Sequence, residues 1–165
     1  MSIFIPNFER SAIVRSAAAE VVGTPNVKVK LLADSSATGG ALSTVQVSLA
    51  KGADGARPHH HKKSAEMFYI LEGRVQVLSG TDVVKAQAGD VIVVPPRLAH
   101  AFAADRGSSA DILIVIVPGV ERFEYFRHLT RIARGEERPE SLKDVQDLYD
   151  NYFFNSPEWA TARAK

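Results

Sequence analysis

The sequence of 165 residues contains no cysteine. Disulfide bonds and metal sites built on thiolates are therefore excluded. If the chain binds a metal ion, the ligands must be nitrogen atoms of histidine and oxygen atoms of carboxylates or other polar groups.

Long apolar runs and an excess of charge of one sign are also missing. No stretch approaches the ~18 consecutive apolar residues that identify a membrane-spanning helix. Twenty lysine and arginine residues stand against nineteen aspartate and glutamate residues, which leaves a formal net charge of +1. This balance favours neither nucleic acid nor an anionic membrane as the main partner.

The N-terminal segment lacks the pattern of a signal peptide. Residues 1–10 mix a proline, an asparagine and two charged residues with apolar ones, so no basic segment is followed by an unbroken apolar one. We therefore expect a cytoplasmic protein. Hydrophobic residues make up 45% and charged residues 24% of the chain, which is typical of a soluble globular protein. This length predicts a single domain over residues 1–165.

Short β-branched runs broken by glycine, proline, aspartate and serine dominate residues 12–117. In residues 42–49, Val45 and Val47 alternate with Gln46 and Ser48, which predicts a strand with one apolar face. Glu72–Gly73 predicts a turn, and residues 79–82 predict a hairpin loop. The predicted strands cover residues 27–32, 42–49, 67–71, 75–78, 83–87, 91–94, 100–103 and 112–117. Many short strands at regular spacing predict an antiparallel sandwich or barrel.

The pattern of apolar residues changes after Pro118–Gly119. Apolar residues recur at helical spacing and predict a helix over residues 120–134, and Pro139 begins a second predicted helix. We expect the helical extension, about residues 120–165, to pack on a barrel core of about residues 27–117. The aromatic-rich tail, residues 149–159, should pack as well. Residues 16–20 fit either a helical turn or a loop.

The residues that could carry chemistry concentrate between Pro58 and Glu66. Alternate side chains of a strand share a face, so His59 and His61 should point the same way and His60 the opposite way. Glu66 lies an odd number of residues beyond His61 and needs a turn or bulge to reach the same face. Three imidazoles, with the later His100, and one carboxylate suit a divalent transition metal. Three consecutive histidines also occur in solvated loops.

The segment from His59 to Gly73, with the pattern HxHxxxxE and a glycine after six intervening residues, resembles the first conserved motif of the cupins. Residues 89–100, which end in His100, resemble the second motif, and the fifteen residues between Gly73 and Gly89 match the compact spacing of bacterial cupins. The sequence departs from the motifs at Ala53, Arg97 and Ala104, where the family has glycine, glycine and often asparagine.

The resemblance implies a mainly β fold, a cupin (double-stranded β-helix or jelly-roll) barrel with C-terminal α-helices packed on it. It also implies that four side chains bind one divalent transition metal ion (Ni, Mn, Fe, Co, Cu or Zn): His59, His61, Glu66 and His100. Lys62 and Lys63, between these ligands, are expected in a solvated loop.

If Glu66 points into the barrel, Phe68 and Ile70 do so too, because alternate residues of a strand point to the same face. Phe102 follows His100 with the same parity. These side chains would line an apolar cavity suited to an aromatic ligand, or would be ordinary barrel core. Gln46 would line this cavity or face water.

The single barrel, the histidine-rich first motif and the helical extension resemble small quercetinase-type cupins, which cleave flavonols with O2. This likeness implies a small aromatic substrate and O2 as partners, with Glu66 acting as general base as well as ligand. The C-terminal helices would cover the barrel mouth through Phe123, Phe126 and Tyr152, or would simply pack on the sheet.

Two alternatives use the same barrel. In one, the metal serves a non-oxidative isomerase, decarboxylase or polyketide cyclase; in the other, the barrel binds a small ligand without turnover. No helix-turn-helix precedes the barrel, which disfavours a transcription factor. The resemblance also implies a homodimer, for which the outward side chains of Met67, Tyr69 and Leu71 would provide an apolar surface.

Overall fold

The computed structural model of the protein describes residues 9–164, so the signal-peptide prediction lies almost entirely outside the described residues. Antiparallel strands dominate them. The strands are β1 (Val21–Gly23), β2 (Val27–Ala33), β3 (Ser43–Leu49), β4 (His59–His60), β5 (Ala65–Ser79), β6 (Asp82–Gln87), β7 (Val91–Val94), β8 (His100–Ala104), β9 (Ala110–Val117) and β10 (Tyr152–Phe153). The short strands β1, β4 and β10 were not predicted from the sequence.

The strands form one curled antiparallel sheet in the order β1-β2-β3-β9-β5-β8-β4-β10, with β6 and β7 also paired to β5. The mainly β class and the C-terminal helices predicted from the sequence are thereby confirmed. The inner surface of the curled sheet holds the main apolar core. One end of this surface carries the histidines.

Strand β5 joins the two halves of the curled sheet. Its first part pairs with β7 and β9, and its second part with β6 and β8. The predicted turn at Glu72–Gly73 is wrong, because the chain stays extended there and forms only an irregularity in its pairing with β9. Gly73 has a φ of 74°, and a Cβ at this position would lie 1.9 Å from the carbonyl oxygen of Ser109. Glycine therefore allows β5 to continue past β9.

Strand β3 shows the predicted alternation. Val45 and Val47 are buried in the core, while Gln46 and Ser48 are half-buried on the opposite face. Of the two positions considered for Gln46, the structure shows the outer one. The reason is the two-residue period of the strand, which cannot turn both Val45 and Gln46 towards the core.

The helices are α1 (Phe123–Ala133), α2 (Gln146–Tyr149) and α3 (Pro157–Ala164), with 3-10 helices at Ser16–Ala18, Ser35–Thr38 and Pro139–Val145. The second predicted helix is therefore a 3-10 segment followed by one α-helical turn. Helix α3 was not predicted. No helix among residues 9–164 is long and apolar enough to cross a membrane.

The C-terminal extension is fixed to the barrel at several points. Helix α1 packs beside β1. In α3, Trp159 packs against Leu78 and Ala101, and the Arg163 Nη1 atom donates to Gln76 Oε1 at 2.5 Å. Strand β10 pairs with β4. The tail of the chain therefore reaches the strand that carries the histidines.

Candidate metal centre

Neighbouring strands bring the four predicted ligands to one place. His59 on β4 lies directly opposite His100 on β8, and Glu66 lies near the start of β5. One donor atom each from His59, His61, Glu66 and His100 lies within 4.8 Å of the other three. All four residues are buried. Nitrogen and oxygen atoms that could bind a metal ion therefore lie together, although they come from separate strands and a turn.

Glu66 lies at the middle of the cluster. Its Oε2 atom is 2.6 Å from His100 Nε2, 3.0 Å from His61 Nε2 and 3.9 Å from His59 Nε2. All these contacts use the same carboxylate oxygen. Within residues 9–164, the Oε1 atom of Glu66 makes no hydrogen bond.

Each histidine is oriented by its other ring nitrogen. The Nδ1 atoms of His59, His61 and His100 lie 2.6, 2.5 and 2.9 Å from the backbone carbonyl oxygens of Arg57, Asp150 and Leu98. A carbonyl oxygen can only accept, so each Nδ1 carries the proton and donates it. In the neutral imidazole, the Nε2 atom then holds a lone pair that points into the cluster. This is the arrangement that orients metal-binding histidines.

The electrostatics of the cluster favour a cation. Burial, followed by the neighbouring charges of His100 and His61, lowers the pKa of His59 well below its ordinary value. Burial alone would raise the pKa of Glu66, but the charges and hydrogen bonds of His61 and His100 outweigh it and hold that pKa well below its ordinary value. This low pKa depends on protonated His61 and His100, whereas the neutral imidazoles would turn Nε2 lone pairs towards the carboxylate. A metal ion would bind these nitrogen lone pairs together with the carboxylate oxygen and so take the place of the imidazole protons.

The turn that brings Glu66 back to the face of His61 depends on Asp150. Its carboxylate accepts hydrogen bonds from the backbone N–H groups of Lys62, Lys63 and Ser64 at 2.8, 3.0 and 3.2 Å. Asp150 itself has a φ of 50°, in the left-handed region that aspartate tolerates better than most residues. Sequence reasoning predicted this turn but missed the residue, which lies far away in the chain.

The turn before His100 contains a second left-handed residue. Arg97 has a φ of 72°, and its N–H donates to the carbonyl oxygen of His61 at 2.6 Å. Glycine adopts this conformation without strain, which explains why the resembled motif has glycine here. The turn forms with arginine nevertheless, at a conformational cost of about 1–2 kcal/mol, and the side chain is exposed.

A partly open cavity of about 150 Å³ lies beside the cluster. Of the four clustered residues, His59 and Glu66 line it, whereas His61 and His100 do not. Most of its wall is apolar: Val27, Val29, Val45, Val47, Phe102, Ile114, Ile116, Phe126 and Leu129. The cluster is therefore open on one side, towards a space that an organic molecule with an apolar body would fill.

The predicted substrate-lining residues fall into three places. Phe102 lines the cavity. Phe68 and Ile70 point inward as their parity predicted, but they lie in the packed core and do not line it. Gln46 does not line it either, because it is on the outer face of β3. The inward side chains of the same strand, Val45 and Val47, line the wall instead.

The C-terminal extension contributes a polar group of residues that sequence reasoning missed. Arg122, Tyr125 and Asn151 line the same cavity as His59 and Glu66. Burial raises the pKa of Tyr125 to about 12, so its hydroxyl stays protonated at neutral pH. The only signal in the sequence was the predicted helix itself, since Arg122 directly precedes α1 and Tyr125 lies in its first turn.

The residues proposed to cover the barrel mouth do not all reach it. Phe123 and Phe126 line the cavity. Tyr152 lies outside it and stacks on His60, with ring centroids 5.4 Å apart. Lys62 is exposed and lies over the Tyr152 ring at 3.8 Å. His60 therefore points away from the cluster, as strand parity predicted.

Comparison with known proteins finds a family match for most of the barrel. Residues 45–116 match the family model described as the cupin domain. These residues include all four clustered ligands and run from β3 to β9. The barrel has the cupin fold. No sequence among the curated proteins matches the chain.

Solved structures with the cupin fold align with most of this barrel. An RmlC-like cupin from Shewanella frigidimarina is 20% identical with a TM-score of 0.58, and the alignment covers 70% of this chain and 96% of that one. KdgF from Halomonas sp. is 19% identical with a TM-score of 0.57, covering 66% and 94%. A PAC13 variant from Streptomyces, with uridine, is 16% identical with a TM-score of 0.56, covering 68% and 86%. At these identities the likeness concerns the fold.

The cupin-fold barrel of this chain has a side-chain set that fits one metal ion. Three Nε2 lone pairs and one carboxylate oxygen converge, every imidazole is held by a carbonyl oxygen, and the four residues are buried. Four ligands leave coordination positions free for metals that prefer five or six. Those positions would lie on the side of His59 and Glu66, which is the side of the cavity.

Proposed function

We propose that the protein is a metal-dependent cupin dioxygenase that acts on an aromatic, enolisable substrate of the flavonol kind. One observation carries the proposal: the buried cluster of three histidines and one glutamate opens on a single side, into a cavity with mostly apolar walls. Such a cavity holds a planar apolar molecule against the open side of the ion.

The bound metal would supply a Lewis acid for an oxygen atom of the substrate and an electronic path to O2. The protein supplies the rest. The carbonyl oxygens of Arg57, Asp150 and Leu98 fix the three imidazoles in the tautomer that binds metal. The ligand geometry is therefore set before the ion binds.

Glu66 is suited to take a proton from the substrate. Its contacts with the histidines use Oε2, and Oε1 has no hydrogen-bond partner among residues 9–164. Glu66 also lines the cavity. A carboxylate in this position would accept the proton of an enol as the substrate binds. Glu66 would thus be both ligand and base.

The apolar walls serve to keep water away from the reacting group. Val45, Val47 and Ile114 come from neighbouring strands of the sheet, and Phe126 comes from α1. A site without bulk water strengthens electrostatic interactions and protects reactive intermediates. The walls also select an apolar substrate body over a sugar or other polyol.

Oxygen consumption tests the proposal. Protein loaded separately with Ni, Mn, Co or Fe is given quercetin, related flavonols and catechols, and O2 uptake is measured with an electrode. We expect uptake with at least one metal and substrate, and at least a 100-fold loss of rate in Glu66→Gln because the base is removed. His60→Asn is the control, since His60 points away from the cluster. Metal-loaded protein that consumes no O2 with any of these substrates would contradict the proposal.

A second candidate function rests on Tyr125. Its protonated hydroxyl lines the same cavity as Glu66. A base and a proton donor in one cavity would serve a non-oxidative isomerase, decarboxylase or cyclase, in which the metal polarises a carbonyl group. Solvent deuterium incorporation into an enolisable substrate without O2 uptake, lost in Tyr125→Phe, would favour this function.

A further inference from the structure

The guanidinium of Arg122 is buried beside the cavity without a counter-ion. Arg122 is 6% exposed, and its Nε atom has no hydrogen-bond partner. Among residues 9–164, no carboxylate lies within 4.0 Å of this guanidinium. Its close neighbours are instead the rings of Tyr125 and Phe126, at 5.1 and 5.4 Å. An isolated buried charge is costly, so a partner is expected when the site is in use.

The carboxylate of Asp34 does not serve as that partner. Asp34 also lines the cavity, but its carboxylate accepts from backbone N–H groups. Its Oδ1 and Oδ2 atoms are 2.7 and 3.0 Å from the backbone nitrogens of Arg122 and Phe123. Asp34 therefore fixes the start of α1, and with it the position of Arg122, and leaves the guanidinium unpaired.

Two further polar groups at this end of the cavity lack a full set of partners. Asn151 is 2% exposed; its Nδ2 donates to the Tyr125 hydroxyl oxygen at 3.2 Å, and its Oδ1 is unpaired. The hydroxyl proton of Tyr125 has no acceptor among the described residues. Buried polar groups in native proteins are nearly always satisfied, so three such groups around one cavity point to a ligand.

We propose that Arg122 binds a carboxylate group of the substrate, with the Tyr125 hydroxyl as a second donor to it. The planar guanidinium of Arg122, which lines the cavity, carries N–H groups in parallel pairs, and carboxylates accept hydrogen bonds from such pairs. One buried guanidinium matches a group with one negative charge. The proposal rests on the proposed function only in taking this cavity as the substrate site.

The substrate class follows from the two ends of the cavity. Its apolar walls hold an aromatic or other apolar body, Arg122 holds the carboxylate, and the side lined by His59 and Glu66 receives the oxygen function that reacts. On this proposal the natural substrate is an aromatic, enolisable molecule that also carries a carboxylate. Uncharged flavonols would bind through the walls alone.

Binding of benzoate and of its neutral analogue benzamide tests this assignment. Titration calorimetry is performed on the full chain after metal removal with EDTA and again after Mn loading. We expect benzoate to bind at least about tenfold more tightly than benzamide in both forms, because a charge-assisted hydrogen-bond pair is stronger than a neutral one. Arg122→Gln should abolish this preference and leave benzamide affinity unchanged. Arg134→Gln, at an exposed arginine just beyond α1, should bind like the unaltered protein.

Thermal unfolding separates a ligand-binding role from a structural one. Since the guanidinium of Arg122 has no counter-ion among residues 9–164, Arg122→Gln should keep or raise the melting temperature without benzoate and lose the rise that benzoate causes. A variant that fails to fold would show that the guanidinium is structural and would overturn the proposal. Equal affinity for benzoate and benzamide, or no benzoate binding at millimolar concentration, would also overturn it. O2 plays no part in these measurements, so their failure is independent of the dioxygenase proposal.

Discussion

The Nδ1 atom of His61 donates to the backbone carbonyl oxygen of Asp150 across 2.5 Å, although the two residues are 89 positions apart in the chain. The Asp150 carboxylate accepts from the three N–H groups that follow His61. The C-terminal extension therefore holds a candidate metal ligand through both its backbone and its side chain. Cupin barrel and extension form one functional unit at this point.

Removing the Asp150 carboxylate should weaken metal binding. Asp150→Gly keeps the left-handed conformation available and removes only the three hydrogen bonds to residues 62–64. We expect a 10–100-fold loss of metal affinity, the usual effect of losing groups that orient metal ligands. Competition with a chromophoric chelator measures it. Asp144→Gly, at an exposed position, is the matched control, and equal affinity in both variants would contradict this role of Asp150.

Acidification should destabilise the metal-free protein. The pKa of His59 in the folded state lies well below its ordinary value of 6.5, so the unfolded state takes up the proton first as the pH falls through about 6.5. The pKa of Glu66 is likewise lowered in the folded state, from its ordinary value of 4.5. Its contribution to the free energy of unfolding is therefore lost only as the pH falls below about 4.5. Stability should therefore fall from pH 7.5 to 5.

Melting temperatures of EDTA-treated protein between pH 7.5 and 5 measure this dependence. We expect a shallower fall in His59→Gln, because the buried imidazole no longer contributes a difference in proton uptake between the folded and unfolded states. An identical slope in the variant, or a protein that gains stability on acidification, would show that the environment of His59 differs from the one described.

The outer face of the sheet carries an apolar surface that predicts a homodimer. Tyr69 and Leu71 on β5 are exposed, as expected, and Met67 is half-buried. On the neighbouring strand β7, Val91 and Val93 pair with Tyr69 and Met67 and are also exposed. These five residues form one patch of adjacent apolar side chains, and such patches mark protein interfaces.

Light scattering after gel filtration tests the dimer. Val93, which is 62% exposed, lies in the patch, so Val93→Lys should convert the dimer to a monomer while the fold is retained. Leu148, which is 66% exposed on α2 and outside the patch, provides the control Leu148→Lys. A monomeric unaltered protein at 100 µM, or a dimeric Val93→Lys protein, would contradict the prediction.

The cluster of four side chains could be predicted from the sequence because strand parity and the resemblance to the two cupin motifs point to the same residues. Strand parity selects His59 and His61 over His60, and the second motif adds His100. The strands of the barrel followed from their alternation. The break predicted at Glu72–Gly73 failed, since glycine is as useful in an irregularity within a strand as in a turn.

The other end of the cavity could not be predicted because it depends on how distant parts of the chain meet. Arg122 and Tyr125 reach the cavity through the packing of α1, and Asn151 reaches it because β10 pairs with β4. No spacing rule connects residues of the barrel with residues of its extension. Asp150 was missed for the same reason.

Metal content tests the central claim most directly. The protein and its variants are expressed with metal supplied, gel-filtered and analysed for transition metals by mass spectrometry. We predict one ion per chain in the unaltered protein and in His60→Ala, and far less than one in His61→Ala. The reason is that His61 belongs to the cluster of candidate ligands and His60 does not. Full retention of metal in His61→Ala, or an unaltered protein that binds none of Ni, Mn, Fe, Co, Cu or Zn stoichiometrically, would contradict the account.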